Sequence, residues 1–166
     1  FSHNYFMYQD TAGLFHPLIW DLNLAFGGFT GLKAGVRMDM PAMIKLSPIV
    51  HAREKLDDRP LLTRLLEIDE HLDTYCRYMQ QIVDDWFADE RYLKVAEELQ
   101  ASLRPWIQLE THGFFSPADF DRSLAETVKR SESVRSIIGI AELMKPRTAY
   151  LLSHPLLRRT LTAEDE

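Results

Sequence analysis

The feature that most limits the folds open to this chain is a helical period in its middle. From Asp69 to Phe87 the apolar residues Leu72, Tyr75, Cys76, Met79, Ile82, Val83, Trp86 and Phe87 recur at spacings of three and four, so they line one stripe of a helix. A stripe of that kind has to be covered by a second surface. The sequence on either side offers more helices to do it. Arg59-Pro60, after Asp57-Asp58, sets a proline at a first helical position, and Leu61, Leu62, Leu65 and Leu66 keep the same period. Asp89 is the expected cap of a third helix through Tyr92, Val95, Ala96, Leu99, Leu103, Trp106 and Ile107, which Thr111-His112-Gly113 should end. Ser116-Pro117-Ala118-Asp119 joins an N-cap serine, an N1 proline and an early acid, and opens an expected helix through Phe120, Leu124 and Val128. Lys129 to Arg135 reads as a polar loop. A last helix is expected from about Gly139 to Ser153, kinked or divided at Pro146, and the tail beyond Pro155 is expected to fray.

The first part of the chain has a different character. Tyr5-Phe6-Met7-Tyr8-Gln9 and Leu14-Phe15-His16-Pro17-Leu18-Ile19-Trp20 are apolar runs separated by the turn cluster Asp10-Thr11-Ala12-Gly13, which signals a β-hairpin. Gly13 can take the positive φ of such a loop, and Pro17, having no N–H, belongs on an edge strand or at an unpaired position. Four glycines from Gly27 to Gly35 interrupt a segment without periodicity, which reads as a mobile loop. The expected fold class is therefore α+β and mainly α, an N-terminal hairpin followed by a helical bundle.

Composition narrows the function. The 166 residues carry 19 basic and 25 acidic side chains, a net charge of −6, with the basic ones scattered. That leaves no electrostatic footprint for a polyphosphate chain, so nucleic acid is not expected as a partner. A chain this long buries roughly 70% of its unfolded surface when it folds alone, and needs neither disulfide nor structural metal for a core. Cys76, the single cysteine, sits on the apolar stripe and is expected to be a small buried hydrophobe. No apolar run approaches the roughly 18 residues of a membrane span. The chain opens on Phe1-Ser2-His3-Asn4 and runs straight into apolar sequence, which reads as a start inside something larger.

The chemistry-bearing residues cluster near the hairpin. Asn4 precedes its first strand and Asp21 follows its second, so the hairpin should bring an amide oxygen and a carboxylate together. Oxygen ligands of that kind suit a hard cation such as Mg²⁺, which is commonly held by one or two protein groups plus substrate phosphates. An Asn before a strand and an Asp after one are also ordinary turn residues. Elsewhere the signals are weaker. His16, His51, His71, His112 and His154 show no pair at metal-ligand spacing, and Asp84-Asp85 and Asp57-Asp58 read as a solvated helix face and a helix N-terminal charge cluster. Trp86, Phe87 and Trp106, at helical spacing, are expected in the core.

The wording of the first segment carries a resemblance. His3-Asn4-Tyr5-Phe6-Met7-Tyr8, followed by Trp20-Asp21-Leu22-Asn23-Leu24-Ala25-Phe26-Gly27, resembles the paired motifs of the spore coat protein H (CotH) kinase family, and the second motif is the specific one. Weaker similarity continues through Arg59-Pro60-Leu61-Leu62, Phe114-Phe115-Ser116, Glu142-Leu143-Met144 and Arg147-Thr148-Ala149-Tyr150-Leu151. The resemblance implies the C-terminal lobe of an atypical protein kinase over residues 1–155. Within it lie a hairpin at 4–20, a metal-binding and glycine-rich loop at 21–36 and helices over 41–153, with a tail at 156–166. It also implies ATP and Mg²⁺ or Mn²⁺ as cofactors and Ser/Thr hydroxyls of proteins as acceptors. Asp21 corresponds to the metal-binding acid, Asn4 to the second metal ligand, and Asn23 is a candidate near the same phosphates.

Protein kinases place a catalytic-base aspartate a few residues before that Asn, and a lysine and glycine-rich loop further upstream. None of these lies within the 166 residues, so the chain by itself is expected not to phosphorylate and to bind ATP poorly or not at all. The missing N-terminal lobe would be its partner. Two other readings stay open: a non-catalytic surface or coat interaction module with a kinase-like fold, and a metal-dependent hydrolase, for which no water-activating base is evident near Asp21. The resemblance leans toward an extracytoplasmic, envelope or spore-coat setting.

Overall fold

A computed structural model describes residues 5–33, 36–49, 60–129 and 136–158. The fold is α+β and mainly α, as expected. Strands β1 (Tyr5–Gln9) and β2 (Phe15–Ile19) form an antiparallel hairpin in the register Tyr5↔Ile19 to Gln9↔Phe15. Its tip is fastened by Asp10, whose Oδ1 accepts the Ala12 and Leu14 N–H groups at 2.9 Å and whose Oδ2 lies 2.8 Å from His16 Nε2. Gly13 takes φ 86°, the positive value its position called for. The Asp10 N–H bonds to the Leu14 carbonyl. Continuing the antiparallel alternation from there makes Met7↔Pro17 a pair that exchanges no main-chain hydrogen bonds, so the missing N–H of Pro17 falls on the outer edge of β2.

Residues 27–35, expected as a mobile loop, contain order. After a 3₁₀ turn at Leu22–Leu24, strand β3 (Gly31–Lys33) pairs antiparallel with β4 (Val36–Arg37). Helix α1 (Met40–Ile44) follows, its N-terminus capped by the Asp39 carboxylate on the Ala42 N–H at 2.8 Å.

Helix α2 (Pro60–Leu66) begins at the proline that marked it; Asp57, Asp58 and Arg59 lie outside the described residues. Helix α3 (Asp69–Ile82) runs on through a π-helical turn at Val83–Ala88, together covering the expected length. Helix α4 spans Arg91–Leu109 and continues through Pro105, which the periodicity did not flag. Its cap is not Asp89. Glu90 takes a left-handed φ of 54° at that position and offers no side-chain cap, because its carboxylate reaches Lys145 Nζ at 3.1 Å instead.

Helix α5 (Pro117–Arg122) has the capping box expected of Ser116 and Asp119, but it ends well short of Val128. Val128 exchanges both main-chain hydrogen bonds with Ile137, and the Thr127 N–H donates to the Glu142 carboxylate at 2.6 Å. Those long-range partners draw the β-branched pair out of the helix. The expected loop at 130–135 lies outside the described residues. Helix α6 (Ile140–Ser153) is not divided at Pro146. The expected fraying does not begin at Pro155: helix α7 (Pro155–Arg158) follows, with Leu157 fully buried, while 159–166 lie outside the described residues.

Two apolar clusters hold the helices. Met43, Tyr92, Leu143 and Met144 form one, and Cys76, Val83, Leu151 and Leu157 the other. Helix α6 feeds both, and Phe87 packs against each. Cys76 is buried as expected, and that burial pushes its thiol pKa up. The tryptophans are not in the core. Trp86 is exposed under the Arg91 guanidinium, 5.1 Å from its ring, and Trp106 is 69% exposed. Helix α4 meets α5 through Gln100 and Arg104, which bond to Phe120 and Asp121. At about 100° per residue, Val95, Leu99, Leu103 and Trp106 point to a different side of α4.

Candidate functional site

The hairpin hands the chain to the turn Asp21–Gly28, and this turn seats it on the helical body. Asp21 has φ 58° and ψ 35°, left-handed for a non-glycine residue, and begins the 3₁₀ turn with its carbonyl accepting from the Leu24 N–H at 3.1 Å. Three further main-chain bonds close the segment: Ala25 N–H to Leu22 O, Gly28 N–H to Ala25 O and Phe29 N–H to Leu24 O, at 2.9 to 3.1 Å. Among the described residues no side chain bonds to the Asp21 carboxylate, and the residue is exposed. Asn23, two residues on, is also exposed in the same turn.

Sterics explain why two glycines follow. A Cβ on Gly28 would lie 2.6 Å from the Asn23 carbonyl oxygen, so only glycine lets the turn close. Gly27 takes φ 81°, and its missing Cβ would lie 3.0 Å from Leu143 Cδ2 and 3.1 Å from Ile138 Cγ2. The pair that composition reads as loose is thus a tight contact with the start of α6. Phe26, just before it, is a second left-handed residue at φ 51°, and its ring stacks on Tyr92 with centroids 6.4 Å apart and planes 17° from parallel. Sequence reasoning missed Phe26 and Tyr92. Phe26 stands in the second motif, directly ahead of a glycine pair, and Tyr92 on the apolar stripe of its helix, but nothing in the sequence joins the two.

A cleft of about 430 Å³ opens beside the turn, lined by Leu22, Asn23, Ala25 to Gly28, Phe115, Ser136 to Ile138 and Ile140. Asn23 and Ser136 supply its polar side chains, and the rest of its side-chain lining is apolar. Asn4 lies outside the described residues, so its expected meeting with Asp21 does too. Among the described residues no group of three or more His, Cys, Asp or Glu side chains could hold a metal by itself. The side-chain oxygens the turn does offer are one carboxylate and one amide, the ligand type that hard cations take.

A hairpin delivering an exposed acid into a glycine-closed turn on a helical body defines a hairpin-led, mainly helical protein. Compared with known families, residues 1–151 of the 166 match the model of the CotH kinase proteins, and the chain belongs to that family. Membership points to a kinase-like function. No curated protein and no solved structure matches the chain.

Proposed function

We propose that this chain carries the metal-holding side of a CotH-type protein kinase site, which transfers the γ-phosphoryl group of ATP to Ser or Thr hydroxyls of proteins. The observation that supports it most is Asp21: an exposed carboxylate with no side-chain partner among the described residues, held at a left-handed position by a turn that two glycines and two helices fix. A carboxylate kept in a strained, fully determined turn but left unpaired is poorly accounted for by stability alone. Asp21 would hold Mg²⁺ or Mn²⁺, with Asn4 as second ligand and Asn23 orienting phosphate oxygens. The cation, when bound, neutralises charge on the phosphates, where phosphoryl transfer most needs help. Asp21 then does positional work: it fixes where that charge sits relative to the acceptor hydroxyl. In the transfer the bond from the γ-phosphorus to its bridging oxygen breaks, the hydroxyl oxygen bonds to phosphorus, and the hydroxyl proton passes to a base. That base would stand a few residues before Asn4 in the same polypeptide, and the nucleotide-lobe lysine and glycine-rich loop would lie further upstream.

The alternative reading, a surface or coat interaction module without turnover, draws on a different observation. Both faces of the hairpin are apolar and open: Phe6, Leu18 and Trp20 on one, Phe15 and Ile19 on the other, the last two 62% and 66% exposed. A covering partner suits either reading. The test is a labelled-ATP transfer assay on the longest polypeptide that carries this chain, with and without Mg²⁺ or Mn²⁺. Wild type should label protein only with metal, and Asp21→Ala should lose labelling while keeping its far-UV spectrum. Equal labelling by both would overturn the assignment, and no labelling by either would favour the interaction module.

A further inference from the structure

We infer that Tyr92, a residue of the α4 N-terminus far from Asp21 in sequence, is a positioning residue for the Asp21 turn. The inference rests on the reading of Asp21 as a metal ligand for its functional meaning, though not for its geometry. The hairpin does little to place Asp21 relative to the described helices, because Phe6, Tyr8, Phe15, Leu18 and Ile19 on its two faces are exposed. Placement falls to the other end of the turn. There Phe26 and Gly27 enter a notch between two helix starts: Tyr92, edge-on to Phe87 at 5.8 Å, forms one wall, and Leu143 and Ile138 form the other.

The two walls differ in what they do. The α6 wall excludes a side chain at Gly27 and so fixes distance. The Tyr92 ring covers Phe26 by stacking and so fixes the torsion of a residue that is left-handed against its own preference. Tyr92 is only 7% exposed and belongs to the buried cluster with Met43, Leu143 and Met144, whereas Phe26 is 43% exposed. The rigid partner therefore sets the conformation of the exposed one. The helix starts are themselves tied by the Glu90–Lys145 ion pair, which spans from α4 to α6 beside Tyr92. With the Tyr92 face removed, Phe26 is free to leave the left-handed region, and the four main-chain bonds that hold Asp21 to Phe29 lose their geometry together.

The test is amide hydrogen exchange on this chain as wild type, Tyr92→Phe and Tyr92→Leu, alongside Mn²⁺ titration, in the presence of ATP, of the longest polypeptide that carries it. In Tyr92→Leu the Leu24, Ala25, Gly28 and Phe29 amides should exchange at least tenfold faster, with α3 and the second half of α6 unchanged. Tyr92→Phe, which keeps the ring, should restore wild-type exchange. If Tyr92→Leu does not fold, Phe26→Leu removes the same stack from its exposed side and should give the same local pattern. Unchanged turn amides, or equal acceleration in α3 and α6, would overturn the positioning role. Mn²⁺ affinity should fall in step with turn exchange. Should Asp21→Ala bind Mn²⁺ as wild type does, the metal reading fails while the exchange result still decides the role of Tyr92.

Discussion

The Arg147 guanidinium on α6 donates to the main-chain carbonyl of Ile44 at 2.9 Å, and the same Nη1 reaches the Leu46 carbonyl. The last carbonyls of a helix have no partner within it, and here a cation from another helix supplies one for α1. The guanidinium also lies 5.4 Å from the Tyr150 ring centroid. Arg147→Met, which keeps the aliphatic stem, should cost about 1.5 to 3 kcal/mol, the range for hydrogen bonds from a charged donor. Arg147→Lys should recover only part of that, since an ammonium lacks the planar fork. Urea unfolding of the three proteins checks both numbers.

Gly28→Ala introduces a Cβ 2.6 Å from a backbone oxygen of its own turn, where no flexible side chain can give way. The expected loss is about 1 to 3 kcal/mol, the ordinary cost of overpacking, read as a lower thermal midpoint. If metal is held at Asp21, Mn²⁺ affinity falls as well.

Leu157 tests whether the region beyond Pro155 belongs to the core. It is fully buried against Cys76, Val83 and Leu151, so Leu157→Ala should destabilise by about 2 to 5 kcal/mol. Leu152→Ala, at a partly exposed neighbour on α6, should cost clearly less in the same denaturant series.

The capping box at Ser116 predicts an acid-side loss of stability. The Ser116 hydroxyl first, and the Arg122 guanidinium second, pull the Asp119 pKa from 3.8 down to about 2. A carboxyl more acidic in the folded chain than in the unfolded one stabilises above its unfolded pKa, and that contribution fades as pH falls from about 4 toward 2. Wild type and Asp119→Asn should therefore differ in unfolding midpoint at pH 6 and converge near pH 2. A difference that stays constant across that window would contradict the linkage.

Local rules made much of the fold readable. Pro60 and Ser116 mark helix starts through their own backbone and capping chemistry, and Gly13 marks the hairpin turn. Long-range contacts decided what was not. Val128 leaves its helix because Ile137 offers a strand partner, and Glu90 gives up capping because Lys145 is within reach. Trp106 obeys the helical period perfectly but lies on a side of α4 that no described element covers, which period alone cannot reveal. At the site the identity of Asp21 and its place after a strand could be read from the chain. Its left-handed backbone could not, and neither could the dependence of Gly27 on Leu143, because that contact joins residues more than a hundred positions apart.

Pro17 gives the hairpin a handedness toward other molecules. A two-stranded ribbon has two open rims, each able to recruit a foreign strand and seed aggregation. Because its absent N–H falls outward, the β2 rim lacks a donor midway along its length, while β1 keeps a complete row from Tyr5 to Gln9. Strand recruitment should therefore be one-sided, with β1 as the vulnerable rim. Replacing Pro17 would open the second rim and turn a capped ribbon into one that can grow in both directions.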